Sequence, residues 1–197
     1  SHAAIITNST TSAGNWFNAA IWSEGRIPIS GDYVRVFHNV LLTDSTPQLW
    51  SCLVSNATIT FSNWNTRLWV SNSVIAQHIS GRTNFTHAGP FLATTGAMSN
   101  RVWIVCSNFT LNTPGMICVN GKGYNTTNGP GKGTGASHGG YGAGYLTGGK
   151  YAAGSIYDSV SAPQMPGSGA NNGLDGYGGK GGGVVRIEAT GTCTIRG

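Results

Sequence analysis

Six carboxylates are all that the sequence offers for acid–base work: Glu24, Asp32, Asp44, Asp158, Asp175 and Glu188. Hydrolysis of a glycosidic bond needs two of them at a fixed separation. Asp158 and Asp175 flank a glycine-rich passage and are the pair to which such a role would fall. Asp32 follows Gly31 in a turn, where a carboxylate binds local amides. Arg186 and Glu188 alternate on one strand and share its face, which predicts a cross-coil ion pair.

Cleavage of an acidic glycan by a lyase needs a cation, a base and an acid. His138, Tyr141, Lys132 and Lys150 lie in one loop and have those chemistries. The Ser137-His138 step equally suits a structural use, with the imidazole bridging backbone carbonyls of adjacent glycine turns. Ser137, His138 and Asp158 are the parts of a nucleophilic triad, but sequence neighbours rarely aim at each other and no nucleophile-elbow context surrounds the serine. His38, His78 and His87 show no helical spacing and no close carboxylate pair, so no metal and no cofactor is expected. The balance is against an enzyme.

Trp50, Trp64, Trp69 and Trp103 form a second group. Trp69 and Trp103 each stand two residues after an arginine, Arg67 and Arg101, in similar segments. At equivalent positions they would stack coil upon coil. Turned inward they are core; turned outward they make a sugar-stacking or protein-binding face. Trp69, Trp103, Tyr141 and Tyr145 are the expected ligand-binding residues on the outward alternative.

Composition says what scaffold positions these groups. Of 197 residues, 39% are apolar and 9% charged, against roughly 25% charged in an ordinary soluble domain. Solubility therefore rests on Asn, Ser, Thr and backbone amides, a profile of extracellular β proteins and repetitive scaffolds. The formal charge of +5 is scattered, with no basic run. A nucleic-acid interface needs clustering and is not expected; a mild preference for acidic glycans is. No run approaches the ~18 apolar residues of a transmembrane helix. "SHAAIITNST" lacks the basic start and apolar run of a signal peptide, as when such a segment has been removed from a secreted or surface protein.

The apolar pieces are short and β-branched: "LWSCLVS", "ATITFSN", "TRLWVSN", "SVIAQHIS", "RVWIVCSN", "FTLNT" and "MICVNG". No sustained 3.6-residue period occurs, which predicts an all-β fold. "NTRLWVSNSVIA", "NRVWIVCSNFTL" and "GVVRIEATGTCTI" repeat a strand, a polar corner and a second strand. Such units stack as coils of a short right-handed parallel β-helix, at uneven intervals of roughly 20 to 35 residues. A β-sandwich is the alternative. One domain is expected over 1–197: a cap segment (1–32), β coils (33–120), a Gly-rich excursion (121–182) and returning strands (183–197). Within the cap, Trp16, Phe17, Ile21 and Trp22 predict a short amphipathic turn or helix that covers one end of the core.

Residues 121–197 hold 24 of the 31 glycines. They show no G-x-y period, which excludes collagen. Lys132 precedes Gly133 rather than Ser or Thr, which excludes a phosphate-binding loop of the G-K-[S/T] type. Tyr124, Tyr141, Tyr145, Tyr151, Tyr157 and Tyr177 punctuate the tract, and a flexible linker has no use for large rings. The expectation is an ordered insertion in which glycines let extended backbones approach closely while tyrosine rings pack over them. Ordering so much glycine costs entropy, which only dense backbone hydrogen bonding can offset.

Ser137-His138-Gly139-Gly140, Tyr157, Pro166-Gly167-Ser168-Gly169, Gly181-Gly182-Gly183, Arg186-Ile187 and Gly191-Thr192 together resemble the glycine-rich module of secreted or surface-anchored, mostly bacterial, parallel β-helix proteins. The series Trp22, Gly25, Pro28, Gly31, Asp32, Val34 and Val36 is similar to the first coil of such proteins. The resemblance implies a β-helix scaffold, which serves adhesins, stalks, filaments and polysaccharide-processing enzymes alike. The expected role is an extracellular structural or adhesive protein that self-assembles into a filament or surface layer, with Trp16, Trp22 and Ile195 at the terminal contacts. A carbohydrate-binding module and an acidic-glycan lyase are the alternatives. Cys52, Cys106, Cys118 and Cys193 are disulfide candidates or buried thiols, and Asn8, Asn56, Asn84, Asn108 and Asn125 stand in glycosylation sequons.

Overall fold

The structure, a computed structural model, describes residues 5–80, 82–89, 99–142, 153–171 and 178–196. Where one domain is expected, the chain forms two compact units. The first comprises Ser1–Ala88, Arg101–Cys118 and Val185–Gly197; the second comprises Gly89–Asn100 and Val119–Val184. The expected glycine-rich excursion is thus the greater part of a unit in its own right.

Three parallel sheets organise the first unit. One holds β1 (Thr7–Ser9), β3 (Tyr33–Val36), β5 (Ser51–Ser55), β8 (Ser73–Gln77), β11 (Asn108–Leu111) and β14 (Cys193–Ile195), in that spatial order. The second holds β12 (Met116–Ile117), β9 (Thr83–His87), β6 (Ile59–Phe61), β4 (Val40–Leu42) and β2 (Gly14–Asn15). The third holds β13 (Val185–Ala189), β10 (Val102–Cys106) and β7 (Leu68–Trp69). From β7 onward the chain visits the third, first and second sheets in turn and then repeats.

The all-β expectation holds, and parallel pairing between all these strands overturns the antiparallel sandwich. Successive rungs of the first sheet place Thr7 opposite Tyr33, Tyr33 opposite Ser51, Cys52 opposite Val74 and Val74 opposite Phe109. These circuits take 26, 18, 22 and 35 residues, uneven as the sequence suggests.

Side chains alternate across a strand, and parallel register carries that parity from rung to rung. Val34, Cys52, Val74 and Phe109 therefore form one inward column, and Val36, Val54, Ala76 and Leu111 the next. All eight are buried. The second sheet contributes Val40, Ile59 and Phe85, and the third Leu68 and Ile104. Apolar burial at about 25 cal/mol per Å² is what holds such short strands together.

The cap boundary moves. β1 and β2 lie inside 1–32, yet their sequences, TNS and GN, carry no apolar alternation; pairing with β3 and β4 alone makes them strands. The amphipathic turn is present as a 3₁₀ turn over Ala19–Ile21, where the Asn18 side chain accepts from the Ala20 amide. Trp16 and Trp22 pack edge to face at 4.9 Å, and Trp22 Nε1 donates to the Trp16 carbonyl at 2.8 Å. Both are buried, so they are interior residues rather than an assembly surface. Ile195 remains exposed. Asp32 binds its turn as expected, accepting from the Ile29 amide and from both terminal nitrogens of Arg26.

The four cysteines are free thiols, so the disulfide alternative is set aside. Burial pushes the Cys52 thiol up to about 12 and Cys106 to about 11. Asn8 and Asn84 are fully buried, which bars glycosylation of the folded chain there. Asn56 is exposed, whereas Asn108 and Asn125 are half-buried.

The second unit is built from backbone. Gly123 donates to Gly181, Gly181 to Tyr124, Tyr124 to Gly167 and Gly167 to Gly182, at 2.8 to 3.0 Å. Ala170 bonds Gly179, and Asn171 bonds Gly133. A Cβ added at Gly123, Gly154 or Gly181 would collide with backbone atoms, so glycine is what permits the approach. Tyr124 is buried among these segments. The close packing expected of the tract is therefore present across its described residues; Tyr145, Lys150, Tyr151, Asp175 and Tyr177 lie outside them.

Candidate functional site

The outer face of β7, β10 and β13 gathers arginine and tryptophan. Along β10, Val102, Ile104 and Cys106 point inward, which leaves Trp103 and Val105 outward and half-buried. Parallel register sets Trp103 opposite Arg186 and Val105 opposite both Trp69 and Glu188. Trp69 and Trp103 are therefore not rung partners. The similar segments stack as the sequence suggests, but two residues out of step, because Leu68 shares its inward column with Ile104.

The shift puts cations over rings. The Arg101 guanidinium lies 4.1 Å from the Trp103 ring centre and 4.5 Å from that of Trp64. Arg67 lies 4.5 Å from the Trp69 ring centre and 5.8 Å from that of Trp103. Arg186 approaches Trp103 to 5.2 Å. One indole thus holds three guanidiniums through its ring quadrupole. The Trp103 Nε1–H donates to Glu188 Oε1 at 2.7 Å, and the same oxygen lies 2.6 Å from Arg186 Nε. The expected ion pair is present within one strand rather than across coils.

Trp69 and Trp103, the residues expected to stack on sugar, carry guanidiniums against their rings. In this arrangement the rings position the arginines. Among the described residues neither Arg67 nor Arg101 makes an ion pair with a carboxylate. Arg101 is buried, with its Nε–H on the Trp64 carbonyl at 2.7 Å. Burial pulls this guanidinium below its ordinary pKa, Arg186 adds to the shift and Glu188 opposes it. Of the three planar cations, Arg67 and Arg186 reach solvent while Arg101 is buried beneath the indoles, and among the described residues Glu188 is the carboxylate that joins them; the two solvent-reaching guanidiniums have the chemistry to bind anions.

No family model matches the chain, and neither does any curated protein or solved structure.

The loop proposed for lyase chemistry is organised differently. His138 Nε2 lies 2.9 Å from the Met165 carbonyl and 3.2 Å from Asp158 Oδ2, and its ring meets that of Tyr157 edge to face at 4.8 Å. Tyr157 donates to the Pro166 carbonyl at 2.6 Å. Asp158 accepts from the amides of Ser159, Gln164 and Met165. Burial favours its neutral form, but those amides and His138 outweigh it and hold the carboxyl below its ordinary range. Ser137 Oγ donates to the Gly154 carbonyl and accepts from the Gly142 amide, so it does not serve His138 as a nucleophile. Tyr141 is exposed, and among the described residues no bond or ring contact joins it or Lys132 to His138. The arrangement is a clasp in which the imidazole meets one backbone carbonyl, that of Met165, and the Asp158 carboxylate, where a bridge between carbonyls of adjacent glycine turns is expected.

The three histidines weighed as metal ligands have local partners: His38 at Thr10, His78 at Ser80 and His87 at the Ala88 carbonyl. No cluster of three metal-ligating side chains occurs among the described residues. The arginines were the residues that sequence reasoning passed over as a site. Their signal was the spacing in "RLW" and "RVW", which places arginine and tryptophan on one strand face.

Proposed function

We propose that this chain is a secreted or cell-surface adhesive scaffold that holds an acidic polysaccharide on the outer face of β7, β10 and β13, without turning it over. The carrying observation is the pair of solvent-reaching guanidiniums of Arg67 and Arg186 beside Trp103, with the buried Arg101 holding that ring from behind and Glu188 the one carboxylate beside them among the described residues. A repeating uronate or sulfated chain supplies carboxylates or sulfates at intervals, and arginine held flat on an indole loses little freedom in binding them. The resemblance to glycine-rich modules of surface β-helix proteins, and the low charge elsewhere, support the location. A right-handed helical winding of the coils accords with the strong preference of parallel crossovers.

The test is calorimetric titration with polygalacturonate, with neutral dextran as control. Binding of polygalacturonate that weakens at least tenfold in the Arg67→Gln/Arg186→Gln variant, with dextran silent, is the expected result. Equal binding of dextran, or no effect of the double substitution, overturns the proposal.

A second, compatible reading is stacking by strand addition. Among the described residues β13 and β14 pair on one side only, and Val185 and Ile195 are exposed beside them. An unpaired edge of this kind accepts another strand, whether from more of the same chain or from another copy. Concentration-dependent sedimentation that disappears in Ile195→Lys would favour another copy.

A further inference from the structure

We propose that a groove on the outer face of the first sheet binds one neutral pyranose ring, at a site separate from the arginine face. The groove has a volume of about 220 Å³ and is lined by Ile5, Tyr33, Trp50, Ser51, Cys52, Ser73 and Ile75. Its shape follows from the rungs. Tyr33 on β3 faces Ser51 on β5, and Ser51 Oγ lies 3.3 Å from Ser73 Oγ on β8. Two small hydroxyl side chains on adjacent rungs lower the floor, and the two large rings stand above it.

The Trp50 ring differs from those of Trp64, Trp69 and Trp103. It is 42% exposed, and among the described residues no guanidinium or second ring lies against it. Arg35 lies 5.1 Å from the centre of the Tyr33 ring and steadies that wall. A pyranose presents an apolar C–H face to such a ring and a rim of hydroxyls to its surroundings.

Hydrogen-bond valence on the floor is left over. Ser51 and Ser73 bring two hydroxyl hydrogens, of which their mutual bond uses one. Asn72 Nδ2 donates to Ser51 Oγ at 3.1 Å, so one O–H and at least one Ser73 lone pair remain for a ligand. Trp50 Nε1 and Tyr33 Oη make no hydrogen bond to other described residues. An alkyl chain has no use for these donors. No charged side chain lines the groove, so an acidic sugar gains nothing there. The volume suits a single ring rather than a drug-sized ligand, for which pockets start at about 300 Å³.

The experiment is saturation-transfer NMR on the intact chain with methyl β-glucoside, methyl β-galactoside and methyl α-mannoside at millimolar concentration. At least one should receive saturation on its ring C–H protons. Trp50→Ala and Ser73→Leu, which remove the wall and fill the floor, should each weaken it at least tenfold, while Trp50→Phe keeps most of it. Arg67→Gln/Arg186→Gln should leave it unchanged, so failure of this site and of the arginine face are seen separately. The proposal is overturned by absence of transfer to all three glycosides, by transfer unaffected in Trp50→Ala, or by saturation of the alkyl chain rather than the ring of octyl glucoside.

Discussion

The Arg101 guanidinium rests 4.1 Å from the centre of the Trp103 ring, and only 7% of Arg101 is exposed. A buried cation is unfavourable unless something replaces its water. Here the replacements are two indole faces and one carbonyl. Each cation–π contact is worth about 0.5–2 kcal/mol, and the ring also contributes apolar burial. Trp103→Leu should therefore cost about 2–4 kcal/mol in denaturant unfolding. Arg101→Met should cost less, because it removes the cation together with its demand. The double variant should lose less than the sum of the two; additive losses would mean that ring and cation are not coupled.

How much of this was legible follows from which residues carry a pattern. The all-β strand content was, because inward columns such as Val54, Ala76 and Leu111 write alternation into the sequence. β9 was not, since "TNFTH" has one large apolar residue, Phe85, and is a strand only by pairing with β6 and β12. The match of "RLW" to "RVW" misled by two residues, because inward packing of Leu68 on Ile104 sets register and outward tryptophans follow it. The course of a long arginine side chain is written nowhere in its own strand. The clasp around His138 was foreseen in kind, while its partners Asp158 and Met165 depended on how glycine segments fold back.

Gly181 and Gly182 are neighbours with opposite surroundings. A Cβ on Gly181 would strike the backbone of Gly167, whereas one on Gly182 meets nothing within 4 Å. Gly181→Ala should destabilise the second unit by about 1–3 kcal/mol, the range for overpacking. Gly182→Ala should be neutral or stabilising by about 0.4–1 kcal/mol through the unfolded chain. Amide exchange across residues 119–142 reads both. Equal effects at the two positions would show that the backbones do not approach as described.

The His138 clasp should loosen in acid. Asp158 has its carboxyl pKa held below the ordinary value in the folded chain. A lowered folded pKa contributes stability that is present above the unfolded value of about 3.9 and is lost as pH falls through the folded value. Protease cleavage within residues 153–171 should therefore rise below about pH 4. Asp158→Asn, which tolerates the φ of 64° at this position, should be more open at neutral pH and flat across that window. An unchanged acid profile in this variant would assign the transition elsewhere.

Thiol reactivity should sort the cysteines by burial. Cys193 is exposed and Cys118 half-buried, while Cys52 and Cys106 are buried with thiols pushed up to about 12 and about 11. Only the thiolate alkylates. Iodoacetamide at pH 8 should label Cys193 first and Cys118 more slowly, leaving Cys52 and Cys106 unmodified until denaturant is added, as read by peptide mass spectrometry. Early labelling of Cys52 would contradict its place in the inward column.

Glu188 restrains the arginine face electrostatically and also builds it. Its Oε1 accepts from Trp103 Nε1 at 2.7 Å and neutralises Arg186 at 2.6 Å. Glu188→Gln keeps an acceptor for the indole while removing the only carboxylate found beside these guanidiniums among the described residues. If the face holds polyanions by charge, this variant should bind polygalacturonate about two- to five-fold more tightly, in line with exposed pairs worth up to about 1 kcal/mol. The gain should shrink as salt rises from about 0.05 M to about 0.5 M, since screening shortens the reach of each guanidinium. Weaker binding in Glu188→Gln at every salt concentration would instead make the carboxylate a positioning group, and the field of the arginines would no longer account for affinity.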